Sequence, residues 1–454
     1  MLGMANSNGH AGDAGIRPSQ PALKRTLGVF DGIAILVGIT IGAGIYSTPQ
    51  IISEYQSSFA IILFLWVLAG CFAFVGSLVY AELGTRLPNT GGEYVYISRC
   101  FGPLAGFIFG WAQLFIIRTS PAAGLAIVTA NYLQYFVPLN SRQHLLVSLL
   151  VIAMFGALNY VGVARAAIFQ KASTVLKLGG LLLLILAGLV LAGGAPEVGG
   201  DPFQPTTDPM TSFVAAMMLI VFSYMGWDRV GYVAGEMKNP QKVVPISMLV
   251  GMSAIVVTYI GANWFYVHTL GLDGVRGATI VASDAAVGIL GPIGAGMVAL
   301  LVIVSATGSI NGTMMTAPRA YFAMARDGLF FRWLNFVHPT FRTPSRAIIV
   351  HCLWAAVILL VRQNFETIVA GMAFAVLIFY AMTALALFKL RREGIGDEGS
   401  YRVPLFPILP GIYLAGIVLL VLVRLIFEFE KSLADLAFIA TGIPFAFWFC
   451  RKKS

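Results

Sequence analysis

Charge is scarce in this sequence. Asp, Glu, Lys and Arg make up only 11% of its 454 residues, against about 25% in a soluble domain. That shortage excludes an ordinary water-soluble globule. Acidic residues are scarcer than basic ones, 20 against 29, which leaves a net charge of +9. No basic soluble domain collects that excess, so a nucleic-acid partner is excluded and membrane lipid is the expected neighbour. Only four cysteines (Cys71, Cys100, Cys352, Cys450) and five histidines are present. None has metal-ligand spacing, and no disulfide framework is expected. No P-loop, nucleophile–base pair or other cofactor motif occurs, so neither an enzyme nor a cofactor is expected.

Long apolar runs are abundant. The segments 61–81 and 178–196 contain no charge, and each is long enough to cross ~30 Å of hydrocarbon. The apolar pattern predicts twelve helices: 27–53, 58–86, 102–136, 143–161, 168–193, 211–236, 244–270, 289–326, 345–361, 365–391, 406–427 and 432–450. Residues 1–26 read as a polar, Gly-rich, disordered cytoplasmic N-terminus without the apolar core of a signal peptide, so the first span is expected to stay as an anchor. Of the Lys and Arg in loops, twenty fall on the side of the N-terminus and five on the other. That asymmetry predicts cytoplasmic N- and C-termini, and a multi-pass protein of the inner or plasma membrane.

The first span is unusual. It runs Gly32-Ile-Ala-Ile-Leu-Val-Gly38-Ile-Thr-Ile-Gly42-Ala43-Gly44-Ile45-Tyr46. Glycine weakens a helix interior by about 1 kcal/mol relative to alanine, and a helix breaks in hydrocarbon only where protein or a water-filled cavity satisfies the freed backbone. The sixth span carries Phe222-Ser223-Tyr224-Met225-Gly226-Trp227, polar and Gly-containing amid apolar residues. Either interruption alone could be a seat for a neighbouring helix. Two at matching places in two five-helix blocks, 27–193 and 211–391, point to a transporter site between inverted repeats. The intervening loop is 194–210. Beyond the second block lie a cytoplasmic loop at 392–405, two further helices within 406–450 and a tail at 451–454.

These segments carry a family resemblance. The first helix resembles that of the amino acid–polyamine–organocation superfamily, and is closest to its L-type amino acid transporter branch. Similar stretches are Trp111–Arg118, Asn159–Arg165, Gln170–Lys177, Phe222–Trp227 with Gly235–Pro240, and Arg319–Gly328. The resemblance covers about residues 25–430. It implies an all-α integral membrane protein with twelve transmembrane helices in a LeuT-like 5+5 inverted repeat, helices 1 and 6 being discontinuous. It further implies a bacterial-like, sodium-independent carrier of neutral L-amino acids working by alternating access, most simply as an exchanger. A proton-coupled symporter and a non-transporting sensor are the alternatives.

Site residues follow from the same resemblance. Backbone at Ile41, Gly42, Ala43, Gly44 and Ile45 would take the substrate carboxylate at a helix N-terminus. Ala43 stands where the family has a hydroxyl, so one side-chain donor is missing. Carbonyls near Phe222, Ser223, Tyr224 and Gly226 would take the ammonium, with Phe222 as an aromatic gate. Trp227 is expected to pack, and Asp228 to pair with Arg229 facing the cytoplasm. Lys177 lies deep in the fifth helix, where an unpaired lysine is costly. It would replace the sodium ion of coupled relatives, or serve coupling, or simply bridge two helices. Arg118 is a candidate for the substrate route or for an ion pair, and Pro121 for a kink. Glu82, Arg326 and Asp327 are candidates for inward-gate pairs or plain surface charges. The stretch Gly91–Tyr96 reads as a short structural helix under the bundle. The loop Val137–His144 lacks the cysteine that joins a heavy subunit in animal relatives, so no disulfide-linked partner is expected.

Overall fold

The computed structural model describes residues 23–193, 208–278, 280–362, 372–427 and 429–451. Most of the expected N-terminus, most of the 194–210 loop, the start of the tenth helix and nearly all of the tail lie outside the described residues. Those that are described fold as helices, with a single isolated bridge between Leu27 and Met237 as extended pairing.

The first span is two helices, α1 (Val29–Thr40) and α2 (Gly44–Ser53), bent by 40° at the glycines. Next come α3 (Phe59–Arg86) and α4 (Glu93–Ala112), then a π-helical turn at Gln113–Ile117 that leads into α5 (Thr119–Leu133). The helices α6 (Ser141–Tyr160) and α7 (Val163–Leu191) complete the first block. The second opens with α8 (Pro209–Tyr224), followed after a break by a 3₁₀ segment, Trp227–Glu236. It continues through α9 (Pro240–Gly277), α10 (Val281–Leu290), α11 (Pro292–Thr316), α12 (Pro318–Arg326), α13 (Ser345–Arg362) and α14 (Met372–Arg392). Last are α15 (Ile408–Phe427), α16 (Phe429–Ala440) and α17 (Gly442–Arg451).

Among the described residues, ten helical stretches are long and apolar enough to cross a membrane, or eleven with the bent pair α1–α2; the apolar helix at 345–361 is shorter. Large apolar side chains such as Leu150, Leu183, Val190 and Ile293 stand exposed on the outer faces. In water such surface is a liability, and it suits contact with lipid.

Several boundaries differ from the hydropathy reading. The fifth span starts at Val163, five residues earlier than expected, because Gly162 (φ 141°) lets the chain turn directly into it. The third span is preceded by the short helix at Glu93, and Gly102 (φ 87°) kinks α4 between the two. The irregularity in the third span lies at Gln113–Ile117, just ahead of Pro121. The Arg118 N–H bonds to the Gln113 carbonyl at 3.0 Å, one residue further back than in an α-helix. The expected helix 289–326 is interrupted at Ala317, one residue before Pro318, and α10 is a separate helix ahead of it. A proline cannot continue the i→i−4 ladder.

Candidate functional site: two helix breaks around one cavity

Hydrogen-bonding side chains converge where α1 stops. The last carbonyls of a helix have no intrahelical partner, and here neighbouring helices supply donors. The Lys177 ammonium on α7 donates to the carbonyls of Gly38 (2.7 Å), Ile41 (3.0 Å) and Ser305 (2.9 Å). Ser305 Oγ reaches the Ile41 carbonyl at 2.8 Å, and Ser309 Oγ the Gly38 carbonyl at 2.9 Å. A cation suits the negative end of the α1 dipole. Lys177 is fully buried, and these oxygens give it the partners that an intramembrane charge requires.

Spacing on α7 explains why this face meets α1. Gln170, Thr174 and Lys177 recur at four and three residues and so share one stripe. Gln170 Nε2 and Thr174 Oγ1 both donate to the Ala34 carbonyl, at 3.2 and 3.0 Å. Gly38 makes the approach possible: a Cβ there would fall 2.1 Å from Gln170 Nε2.

The second break lies at Met225 and Gly226. Met225 is extended (ψ 145°) and Gly226 has φ 125°, a conformation other residues rarely adopt. One residue links both breaks. The Tyr259 hydroxyl lies 2.9 Å from the Thr40 carbonyl and 3.0 Å from the Ser223 carbonyl. It was not identifiable from the sequence as a site residue, because nothing local marks an apolar-flanked tyrosine on α9 as the bridge.

Between the breaks is a cavity of about 90 Å³, lined by Gly42, Ala43, Gly44, Phe222, Ser223, Gly226, Arg118, Arg229 and Tyr380, among others. It exceeds the ~10–15 Å³ that one water needs several-fold. The first N–H groups of α2 precede any intrahelical acceptor, and Ala43 and Gly44 are half-buried on the lining. Ile41, Ile45 and Tyr224 do not line it. Ile41 faces the Lys177 side through its carbonyl, and the Tyr224 hydroxyl turns away to the Trp66 carbonyl at 3.1 Å. Lys177 also stands outside the lining, behind α1. Trp227 packs edge-on against Tyr80 and tilts against Tyr380.

Under the cavity the charges are paired differently from expectation. Asp228 does contact Arg229 at 3.3 Å, but the pair is buried and does not face solvent. Asp228 also bonds Arg118, which in turn donates to Glu93 at 3.0 Å and to the Tyr232 hydroxyl at 3.1 Å. Glu93, in the stretch read as merely structural, is therefore a buried partner of Arg118. The short helix ahead of Gly102 carries its carboxylate inward, which local sequence does not reveal.

The suggested gate residues divide. Arg326 and Asp327 pair with each other at 3.2 Å, partly exposed. Glu82 instead accepts from Arg391 (2.7 and 2.6 Å), Arg86 (2.7 Å) and the Val403 N–H (2.7 Å). Further pairs at this end of the bundle have no local mark in the sequence. Arg319 grips Glu236 through two bonds of 2.7 and 3.0 Å, both residues being buried. The Thr26 and Leu27 N–H groups meet the Glu236 carbonyl at 2.8 and 3.1 Å, and Lys171 pairs with Asp31 at 3.0 Å. Motif spacing marked Gly235–Pro240 and Arg319–Gly328, but not that they touch.

A multi-pass helical bundle with two broken helices bordering one cavity defines a membrane transporter. The chain belongs to the amino acid permease family, whose model matches residues 27–446, and relatives of the L-type branch place it within that superfamily. The serine/threonine exchanger SteT of Bacillus subtilis (strain 168) is 30% identical over 87% of this chain and 90% of its own. The large neutral amino acids transporter small subunit 2 of Mus musculus is 30% identical over 94% and 81%. The b(0,+)-type amino acid transporter 1 of Homo sapiens is 28% identical over 96% and 90%. The chain is thus a permease and not an enzyme.

Proposed function

We propose that the chain is a sodium-independent exchanger of neutral L-amino acids, with the helix breaks as its substrate site. One observation carries this reading: the start of α2 and the end of α8 border the same cavity. Free N–H groups at the N-terminus of α2 attract a carboxylate, and carbonyls at the C-terminus of α8 attract an ammonium. A zwitterion satisfies both. Lys177 holds the α1 carbonyls that a metal cation would otherwise coordinate, which supports sodium independence. SteT, an exchanger by name, supports antiport over uniport.

In this reading α13 counts as a span and the two breaks open two inverted five-helix repeats within twelve transmembrane helices. The excess of Lys and Arg in one set of loops supports cytoplasmic termini in the cell membrane. Alternating access proceeds by rocking of the broken helices about the site, which requires the ties of Glu236 to Arg319 and to the start of α1 to open.

Counterflow tests the proposal. Proteoliposomes loaded with unlabelled amino acid should take up labelled amino acid far faster than empty ones, at equal rates with and without sodium. Uptake indifferent to internal substrate but driven by an imposed proton gradient would replace exchange with symport. Binding without any flux would leave a sensor.

A further inference from the structure

Several buried donors at the cavity, on Thr40, Arg118 and Arg229, have no partner among the described residues, and Arg229 has two of them. Four charged side chains cluster here, Glu93, Arg118, Asp228 and Arg229, each at most 5% exposed. Both acids are well supplied. Glu93 accepts from Arg118, Tyr80 (2.5 Å) and Tyr232 (2.7 Å), and Asp228 from Arg118 and Tyr380 (3.0 Å). Arg229 is not. Its Nε approaches Asp228 without a hydrogen bond, and among the described residues neither Nε nor Nη1 has an acceptor. Buried charged donors are rarely left so, because the lost solvation is not recovered. Arg229 lines the cavity beside Gly226 and Tyr380, so an acceptor can reach it from there.

We propose that Arg229 reads the side chain of the transported amino acid by donating to its oxygen, and that this side chain is polar and uncharged: a hydroxyl or a carboxamide. The inference rests on the carrier reading above and names its substrate class. Charge selects the neutral oxygen. Two guanidinium groups already face two carboxylates, so a substrate carboxylate would bring an unmatched negative charge into a buried site. Lys177 does not offset it, since that ammonium faces carbonyls behind α1.

Isosteric substrate pairs test it in proteoliposomes. Threonine and valine share a shape and differ in the hydroxyl; asparagine and aspartate differ in charge. A hydrogen bond from a charged donor predicts that wild type favours threonine over valine roughly 10- to 100-fold in kcat/KM, and asparagine over aspartate. Arg229→Met should drive the threonine/valine ratio toward unity. Arg229→Lys keeps one charged donor and should retain part of it, and it stands in if the Met variant is not monodisperse. A wild-type ratio near one overturns the proposal, as does a ratio that neither variant alters. Preference for aspartate over asparagine overturns the neutral class. Failure of wild type to carry any amino acid overturns the carrier reading itself.

Discussion

Replacing Lys177 with Met keeps the stem length and removes the ammonium. Three carbonyl bonds of 2.7–3.0 Å then disappear. Bonds from a charged donor contribute roughly 1.5–3 kcal/mol each, a gross loss of about 5–9 kcal/mol. Two effects offset it. The variant no longer buries a charge, which costs several kcal/mol. The Gly38 and Ile41 carbonyls also keep Ser309 and Ser305 as donors. Only Ser305, outside the break, loses a partner without replacement from these side chains. The net is a destabilisation of about 2–4 kcal/mol, using the same two terms. The α1 break should be the part that loosens. Thermal unfolding in detergent should fall by several degrees, and exchange should drop by an order of magnitude or more even in samples that remain monodisperse. Hydrogen exchange should rise first around Gly38–Gly44. Unchanged melting and unchanged uptake in Lys177→Met would refute the bridging role. Uptake by wild type that demands sodium would refute the proposal that the lysine stands in for an ion.

Other consequences follow from the same geometry. Gly226→Ala places a Cβ at φ 125°, 3.1 Å from the Thr40 Cα; strain alone costs ~1–3 kcal/mol, and uptake should fall more steeply than expression because the two breaks are forced apart. Arg319→Ala strands buried Glu236, which should cost about 3–5 kcal/mol. The double variant Arg319→Leu/Glu236→Leu should recover much of the melting temperature, and a melt equal to that of the single variant would deny the pair its importance. Tyr259→Phe removes the hydroxyl shared by the Thr40 and Ser223 carbonyls, so it should lower counterflow while leaving the fold monodisperse; full activity would deny that the hydroxyl couples the breaks. In a variant freed of its cysteines, an impermeant maleimide should label Arg142→Cys in intact cells and Ser7→Cys only after permeabilisation. The reverse pattern would invert the proposed orientation.

By itself the sequence determined what depends on local composition. Long apolar runs require helices in lipid, because the backbone must satisfy itself there. Glycines at 38, 42 and 44 and the polar insertion at 222–227 marked both breaks, since glycine weakens a helix interior and polar groups stand out in an apolar span. Lys177 was conspicuous because charge in an apolar span is costly. Tertiary structure decided who answers whom. Tyr259, Ser305 and Ser309 are unremarkable locally and act only because packing brings them to the α1 carbonyls. Glu93 is a polar residue before a span until the Gly102 kink turns it inward to Arg118. Glu236 and Arg319 are 83 positions apart, and Glu82 meets Arg391 across 309. Such partners are chosen by which helix faces meet, and a one-dimensional pattern of polarity reports the faces without their neighbours.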